Sequence, residues 1–179
     1  LEAGEREEEN SIVFLGCFRE ASSILHEMEQ ASREANADGV LSQLLVIDFN
    51  PLVLQELKLR GIKCLYGDVA NMDTLHHAQI HSAKIVACTI SDAILRGTTN
   101  TGLLQQARRL CPKAQVIAAA DNISSAVELY EQGADFVYIA RLHSARYMAG
   151  LIARVVQDEE GFRDSREDEF RLLEQRKVV

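Results

Sequence analysis

The sequence predicts an α/β fold: a doubly wound, parallel six-stranded sheet of order 3-2-1-4-5-6 with helices on both faces. Three observations lead there. Six short, continuously apolar runs recur along the chain, the pattern of strands buried on both faces. Between them lie segments whose apolar residues fall at three- and four-residue steps, which is helix spacing. Glycine, asparagine or proline marks most of the junctions. Strict alternation of strand and helix implies parallel pairing through right-handed crossovers.

Each element can be justified in order. Ser11-Ile-Val-Phe-Leu-Gly16 is a strand entering a tight turn on glycine. From about Arg19 to Ala35 a helix carries Ala21, Ile24, Leu25, Met28 and Ala31 on one stripe, and Asn36-Ala-Asp-Gly39 ends it. Leu44-Leu-Val-Ile-Asp48 is the second strand. Asn50-Pro51 then opens a helix with proline in its first turn, which stops near Gly61. Lys63 to Tyr66 is the third strand, followed by Gly67-Asp68 and a short helix from about Met72 to Ala78. The second half repeats the scheme. Strands at Ala83–Cys88, Gln115–Ala120 and Phe136–Ile139 alternate with helices at Leu95–Leu110, Ile123–Gln132 and Leu142–Val156. Residues 11–156 therefore read as one Rossmann-type unit. An acidic lead-in, 1–10, precedes it, and a charged helical extension or tail, 157–179, follows.

Charge and composition narrow the function. The 179 residues are 47% hydrophobic and 26% charged, which fits a globular domain. The net charge of −8 sits at the ends, leaving residues 11–156 near neutral. A nucleic-acid partner wants a basic face, so none is expected. No run reaches the ~20 apolar residues of a membrane span. Cys17, Cys64, Cys88 and Cys111 lack CxxC spacing and read as reduced, mostly buried thiols of a cytoplasmic protein. His77 and His81 have i, i+4 spacing, but the helix is expected to end between them, so no metal site is expected. Neither G-x-S-x-G nor H-E-x-x-H occurs. The Rossmann unit nearly fills the chain and leaves no second region to hold a substrate, which argues against an enzyme.

In this fold a nucleotide lies at the carboxyl ends of the strands, beside the switch point between strands one and four. The first turn reads Gly16-Cys17-Phe18-Arg19-Glu20-Ala21 where a dinucleotide turn reads G-x-G-x-x-G. Gly16 survives, Ala21 is a mild substitute, and Phe18 replaces the glycine that lets a pyrophosphate approach. Either the turn keeps a phosphate contact through helix amides and Arg19, or it is structural only. Asp48 ends strand two, where it can accept from both ribose hydroxyls or cap the next helix, with Asn50 the better cap. In the first case Asp48→Ala weakens ligand and changes folding far less. Gly67-Asp68 ends strand three, and Asp68 can accept from an adenine amino group or from backbone amides. Thr89-Ile90-Ser91-Asp92 follows strand four. Its hydroxyls can bond phosphate or ribose, or Ser91 and Asp92 can cap a helix.

Together these segments resemble the RCK (regulator of potassium conductance) or TrkA-N domain. The pieces that carry the resemblance are the strand-one turn, Val46-Ile-Asp48 with Asn50-Pro51, Tyr66-Gly-Asp-Val-Ala70 and Glu131-Gln-Gly-Ala-Asp-Phe-Val137. Ser91 to Asn100 looks most like domains fused to cation:proton antiporters of the glutathione-gated potassium-efflux type. The resemblance implies a regulatory domain on the cytoplasmic side of a potassium or sodium transporter, embedded in the membrane and borne on the same chain. It implies an adenine nucleotide ligand, AMP-like or NAD(H), and a homodimer. By position it gives Gly16, Phe18 and Arg19 to the phosphate turn, Asp48 to the ribose, Asp68 to the base, and Thr89, Ile90 and Ser91 to the phosphate side, with Asn50, Gly67 and Val69 as further nucleotide-binding positions. Two departures matter: the turn has a single glycine, which favours a mononucleotide, and Ala118-Ala-Ala120 stands where many relatives carry arginine, which removes one expected phosphate partner. The abrupt start at Leu1 suggests a cytoplasmic fragment. A stand-alone potassium-uptake subunit and an NAD-dependent oxidoreductase are the alternative readings.

Overall fold

The computed structural model describes residues 10–35 and 39–175. The expected lead-in at 1–9, the Asn36-Ala-Asp segment and residues 176–179 lie outside that range. Six strands form one sheet: β1 (Ile12–Leu15), β2 (Leu44–Asp48), β3 (Lys63–Tyr66), β4 (Ile85–Cys88), β5 (Gln115–Ala119) and β6 (Phe136–Tyr138). All pair in parallel, in the order β3-β2-β1-β4-β5-β6. Around them run α1 (Arg19–Ala35), α2 (Pro51–Leu59), α3 (Met72–His77), α4 (Asn100–Leu110), α5 (Ile123–Glu131), α6 (Ala140–Gln157) and α7 (Glu159–Gln175). The charged stretch beyond Asp158 is thus a helix of its own.

The sheet separates two apolar layers because side chains alternate along each strand. Phe14, Leu44 and Val46 pack with Leu25 of α1 and Leu57 of α2. Val13, Leu15, Leu45 and Ile47 face the other way, against Leu103 and Leu104 of α4 and Leu129 of α5. This two-sided burial is why the strand sequences lack polar alternation.

Local chemistry sets several helix starts. Asn50, Asn71, Thr99 and Asn122 each sit in extended backbone and accept a bond from an amide of the first turn. Gly133-Ala-Asp135, before β6, has a tertiary reason. Gly133 is left-handed at φ +95, and its carbonyl accepts from Arg108 of α4. Asp135 Oδ2 accepts from the same guanidinium and from the Val116 amide at 2.6 Å. Burial alone would raise the Asp135 carboxyl, but the Val116 amide and Arg108 hold it below its usual value. One arginine therefore ties α4 to the start of β6 and, through the carboxylate, to β5.

One boundary differs from expectation. The helix predicted from Leu95 starts at Asn100, and residues 91–99 form a loop. Gly97 is left-handed at φ +73, and Thr99 caps α4 by accepting from the Gly102 amide. Asn100 is fully buried; its backbone amide and side-chain Nδ2 both donate to Asp92 Oδ1, and Nδ2 also donates to the Ile90 carbonyl. Those bonds close the loop on itself and remove the preceding residues from the helix. Among the described residues no helix is long and apolar enough to cross a membrane.

Candidate functional site

At the carboxyl ends of the strands, beside the β1–β4 switch point, lies a cavity of about 520 Å³. Its size falls within the ~300–1,000 Å³ common to small-molecule sites. Four chain segments line it: Gly16-Cys17-Phe18 after β1, Asp48-Phe49-Asn50 with Val53 after β2, Asp68-Val69 after β3, and Ile90 with Ile94-Leu95-Arg96 after β4.

The turn after β1 requires glycine twice over. Gly16 has φ +85, and a Cβ there would stand 2.1 Å from Ile90 Cδ1. Ile90 therefore packs hydrocarbon against the turn on which a pyrophosphate would otherwise rest. Phe18 lines the cavity and is 38% exposed. The Arg19 guanidinium lies 5.5 Å from the centroid of that ring, and Arg19 is not among the lining residues.

Asp48 is the keystone of this rim. It is only 5% exposed, and its Oδ2 accepts from the Cys17 amide while Oδ1 accepts from the Asn50 amide, both at 2.7 Å. The carboxylate thus joins the end of β2 to the turn after β1. It does not cap α2; Asn50 does, accepting from the Leu52 amide at 3.0 Å. Each carboxylate oxygen keeps a further lone-pair direction for a ligand hydroxyl. Asp68 Oδ1 accepts from the Ala70 amide, so its backbone role is real, while the residue also lines the cavity.

Gly16, Phe18, Asp48, Asn50, Asp68, Val69 and Ile90 come together on one cavity. Arg19, Gly67, Thr89 and Ser91 do not line it. Gly67 packs on α3, where a Cβ would fall 2.3 Å from Thr74 Cγ2. Thr89 is buried, and its Oγ1 has no hydrogen-bond partner among the described residues. Ser91 Oγ accepts from the Ala93 amide, a turn-capping role. The sequence reading missed Cys17, Phe49, Val53 and the Ile94-Leu95-Arg96 roof. A helix-breaking Gly97 followed by Thr98-Thr99, good capping residues, was the available signal for the roof.

Cys17 lines the cavity, but its thiol is not activated. Burial and then the Asp48 charge push the Cys17 thiol up to about 11, and burial followed by Asp92 pushes Cys88 up to about 12. Both stay protonated near neutral pH and are poor nucleophiles. The described cysteines are all free, and no group of metal-ligating side chains occurs among the described residues. His77 ends α3 and His81 lies in a separate 3-10 turn.

Fold and rim together define a Rossmann-type α/β domain with its crevice at the strand ends. The model of the TrkA-N domain matches residues 12–140. The chain belongs to the TrkA-N (RCK) family. The glutathione-regulated potassium-efflux system protein KefC of Escherichia coli O139:H28 is 28% identical over 134 residues, 75% of this chain and 20% of the relative. This chain thus matches about a fifth of the length of that curated relative. Among solved structures, the TrkA-N domain of the inner membrane protein ybaL from Escherichia coli is similar with a TM-score of 0.62 at 23% identity, covering 79% of this chain and 96% of that one. The Shewanella denitrificans Kef CTD in AMP bound form has a TM-score of 0.58 at 19% identity, covering 91% and 92%.

Proposed function

We propose that the chain is the cytoplasmic regulatory domain of a monovalent-cation/proton antiporter. In this reading it binds an adenine nucleotide and passes the bound state to the membrane transporter, without catalysis. Residues 11–156 are the nucleotide-binding unit, and 157–179 are a charged extension that includes the helix Glu159–Gln175. The observation that carries the ligand reading is the rim on which a buried, amide-bound Asp48 stands beside the β1 turn at the switch point. An acid at the end of β2 is placed for ribose hydroxyls. Ile90 against Gly16 and the Phe18 ring leave little room for a bridged diphosphate, which favours AMP over NAD(H). Similarity to a potassium-efflux protein and to an AMP-bound Kef domain supports the transporter side. Calorimetry of the full chain should give saturable heat with AMP, and weaker binding of NAD and NADH. No heat and no thermal shift with millimolar AMP, ADP, ATP, NAD and NADH would sink the ligand reading.

The proposed regulator acts as a homodimer. None of α6 is fully buried, and Met148 and Ile152 on it are exposed, as are Ile123, Val127 and Tyr130 of α5. The sequence offers Tyr147, Leu151 and Val155 of α6 as a pairing stripe, but Tyr147 and Leu151 line a groove with Phe170 and Leu173 of α7. That shifts the proposed contact to α5 and the remaining face of α6, where grouped apolar side chains favour association. Light scattering at micromolar concentration should report twice the chain mass, and Val127→Glu with Ile152→Glu should halve it. A monomeric parent, with and without AMP, would remove this pairing.

A further inference from the structure

Among the residues that line the strand-end cavity, Arg96 is the cationic one. It is exposed, and no hydrogen bond or ion pair engages it among the described residues, so its guanidinium is uncommitted. The loop that carries it is built. Asn100, with no exposed surface, bonds Asp92 and the Ile90 carbonyl and so pins the two ends of the loop together. Leu95 packs on the core layer beneath, and a Cβ on Gly97 would touch Ala70 Cβ at 3.8 Å, so the loop crosses to the turn after β3. The roof that holds Arg96 is thereby fastened on three sides.

The rest of the wall offers a phosphate little. Ile90 and Phe18 make the β1-turn end apolar, and Arg19 lies against the Phe18 ring outside the cavity. Asp48 and Asp68 are acids, each already accepting backbone amides. A phosphate brought into such a wall without a cation would lose hydration and gain no compensating charge. A guanidinium offers two parallel N–H donors and a permanent charge to phosphate oxygens.

We propose that Arg96 is the phosphate-recognising residue of this cavity, so that the β4–α4 loop makes the site select phosphorylated over unphosphorylated adenine nucleosides. The proposal rests on the adenine-nucleotide reading and adds the residue that reads the charge. Arg96 lies outside the hydrogen bonds that fasten the loop, so its replacement leaves the fold intact.

The test is calorimetry of AMP and of adenosine with the full chain, its Arg96→Met variant and its Arg96→Lys variant, with melting temperatures recorded for all three. Arg96→Met should bind AMP about 10- to 100-fold more weakly, the range for a lost charge-assisted hydrogen bond. Its adenosine affinity should match that of the parent, and Arg96→Lys should recover part of the AMP affinity. The AMP affinity of the parent should also fall with added salt more steeply than that of Arg96→Met. Equal AMP affinity in parent and Arg96→Met overturns the role of Arg96 and leaves the adenine-nucleotide reading standing. A parallel loss of AMP and adenosine overturns it too, because the residue would then be shaping the pocket rather than reading charge. A parent that binds neither ligand overturns the nucleotide reading itself, and this role with it.

Discussion

Asp48→Ala should destabilise the fold by about 1–3 kcal/mol, because it strands the buried Cys17 amide and removes the acceptor of the Asn50 amide, which lies nearer the surface. The Cys17 and Asn50 amides each give their hydrogen to this carboxylate at 2.7 Å, and the residue is almost wholly enclosed. An unsatisfied buried donor costs ~1–3 kcal/mol, and alanine supplies no replacement acceptor. The sequence alone leads to the expectation that the substitution weakens ligand and changes folding far less; the two amide bonds imply a folding cost as well. Urea unfolding followed by circular dichroism measures the loss as a shift in midpoint at unchanged slope. Asp48→Asn refines the test: its carbonyl still serves one amide while its NH₂ group confronts the other donor, so an intermediate loss is expected. A change below ~0.5 kcal/mol for alanine, the scatter of ordinary surface substitutions, would show that these amides find other partners. Ligand affinity of the variant then has to be measured well below its lowered melting temperature, so that binding to the folded chain is what is read.

The same residue shows where the sequence stops speaking. Apolar runs and helix spacing are local signals that place α1 at Arg19–Ala35 and β3 at Lys63–Tyr66, and the alternation of strand and helix with right-handed crossovers gives the sheet order. Asp48 could be put at the end of β2 by the same means. That it reaches Cys17, 31 positions away, depends on β1 and β2 lying side by side. Ile90 is a similar case. Position put it near the phosphate side, but its packing against Gly16 follows from the pairing of β1 with β4. The 91–99 loop was hidden for a different reason. Helix-compatible residues run from Leu95 onward, and local propensity is overridden by the tertiary bonds of a buried Asn100. Arg96 was lost with that loop, since a helix beginning at Leu95 would have given it no special place at the cavity.

Gly16→Ala should cost about 3 kcal/mol or more, through two separable causes. The first is backbone. At φ +85 an L-residue with a Cβ pays ~1–2 kcal/mol that glycine avoids. The second is steric: the new methyl would stand 2.1 Å from Ile90 Cδ1 and 3.0 Å from Cγ1, so the end of the Ile90 side chain must shift along the cavity it lines. A second substitution distinguishes them. Ile90→Val removes the offending Cδ1 and should cost ~0.5–1.5 kcal/mol alone. Combined with Gly16→Ala it should relieve the clash but not the backbone strain, so the double variant should be about 1–2 kcal/mol more stable than additivity predicts. Denaturant unfolding of the four proteins gives this coupling directly. Additivity within ~0.3 kcal/mol would mean that Ile90 does not pack on the turn, and the argument that its side chain crowds out a bridged diphosphate would fall with it. A large coupling would instead tie Ile90, just past β4, to the only glycine left in the turn, and support the reading that the pair crowds out a bridged diphosphate.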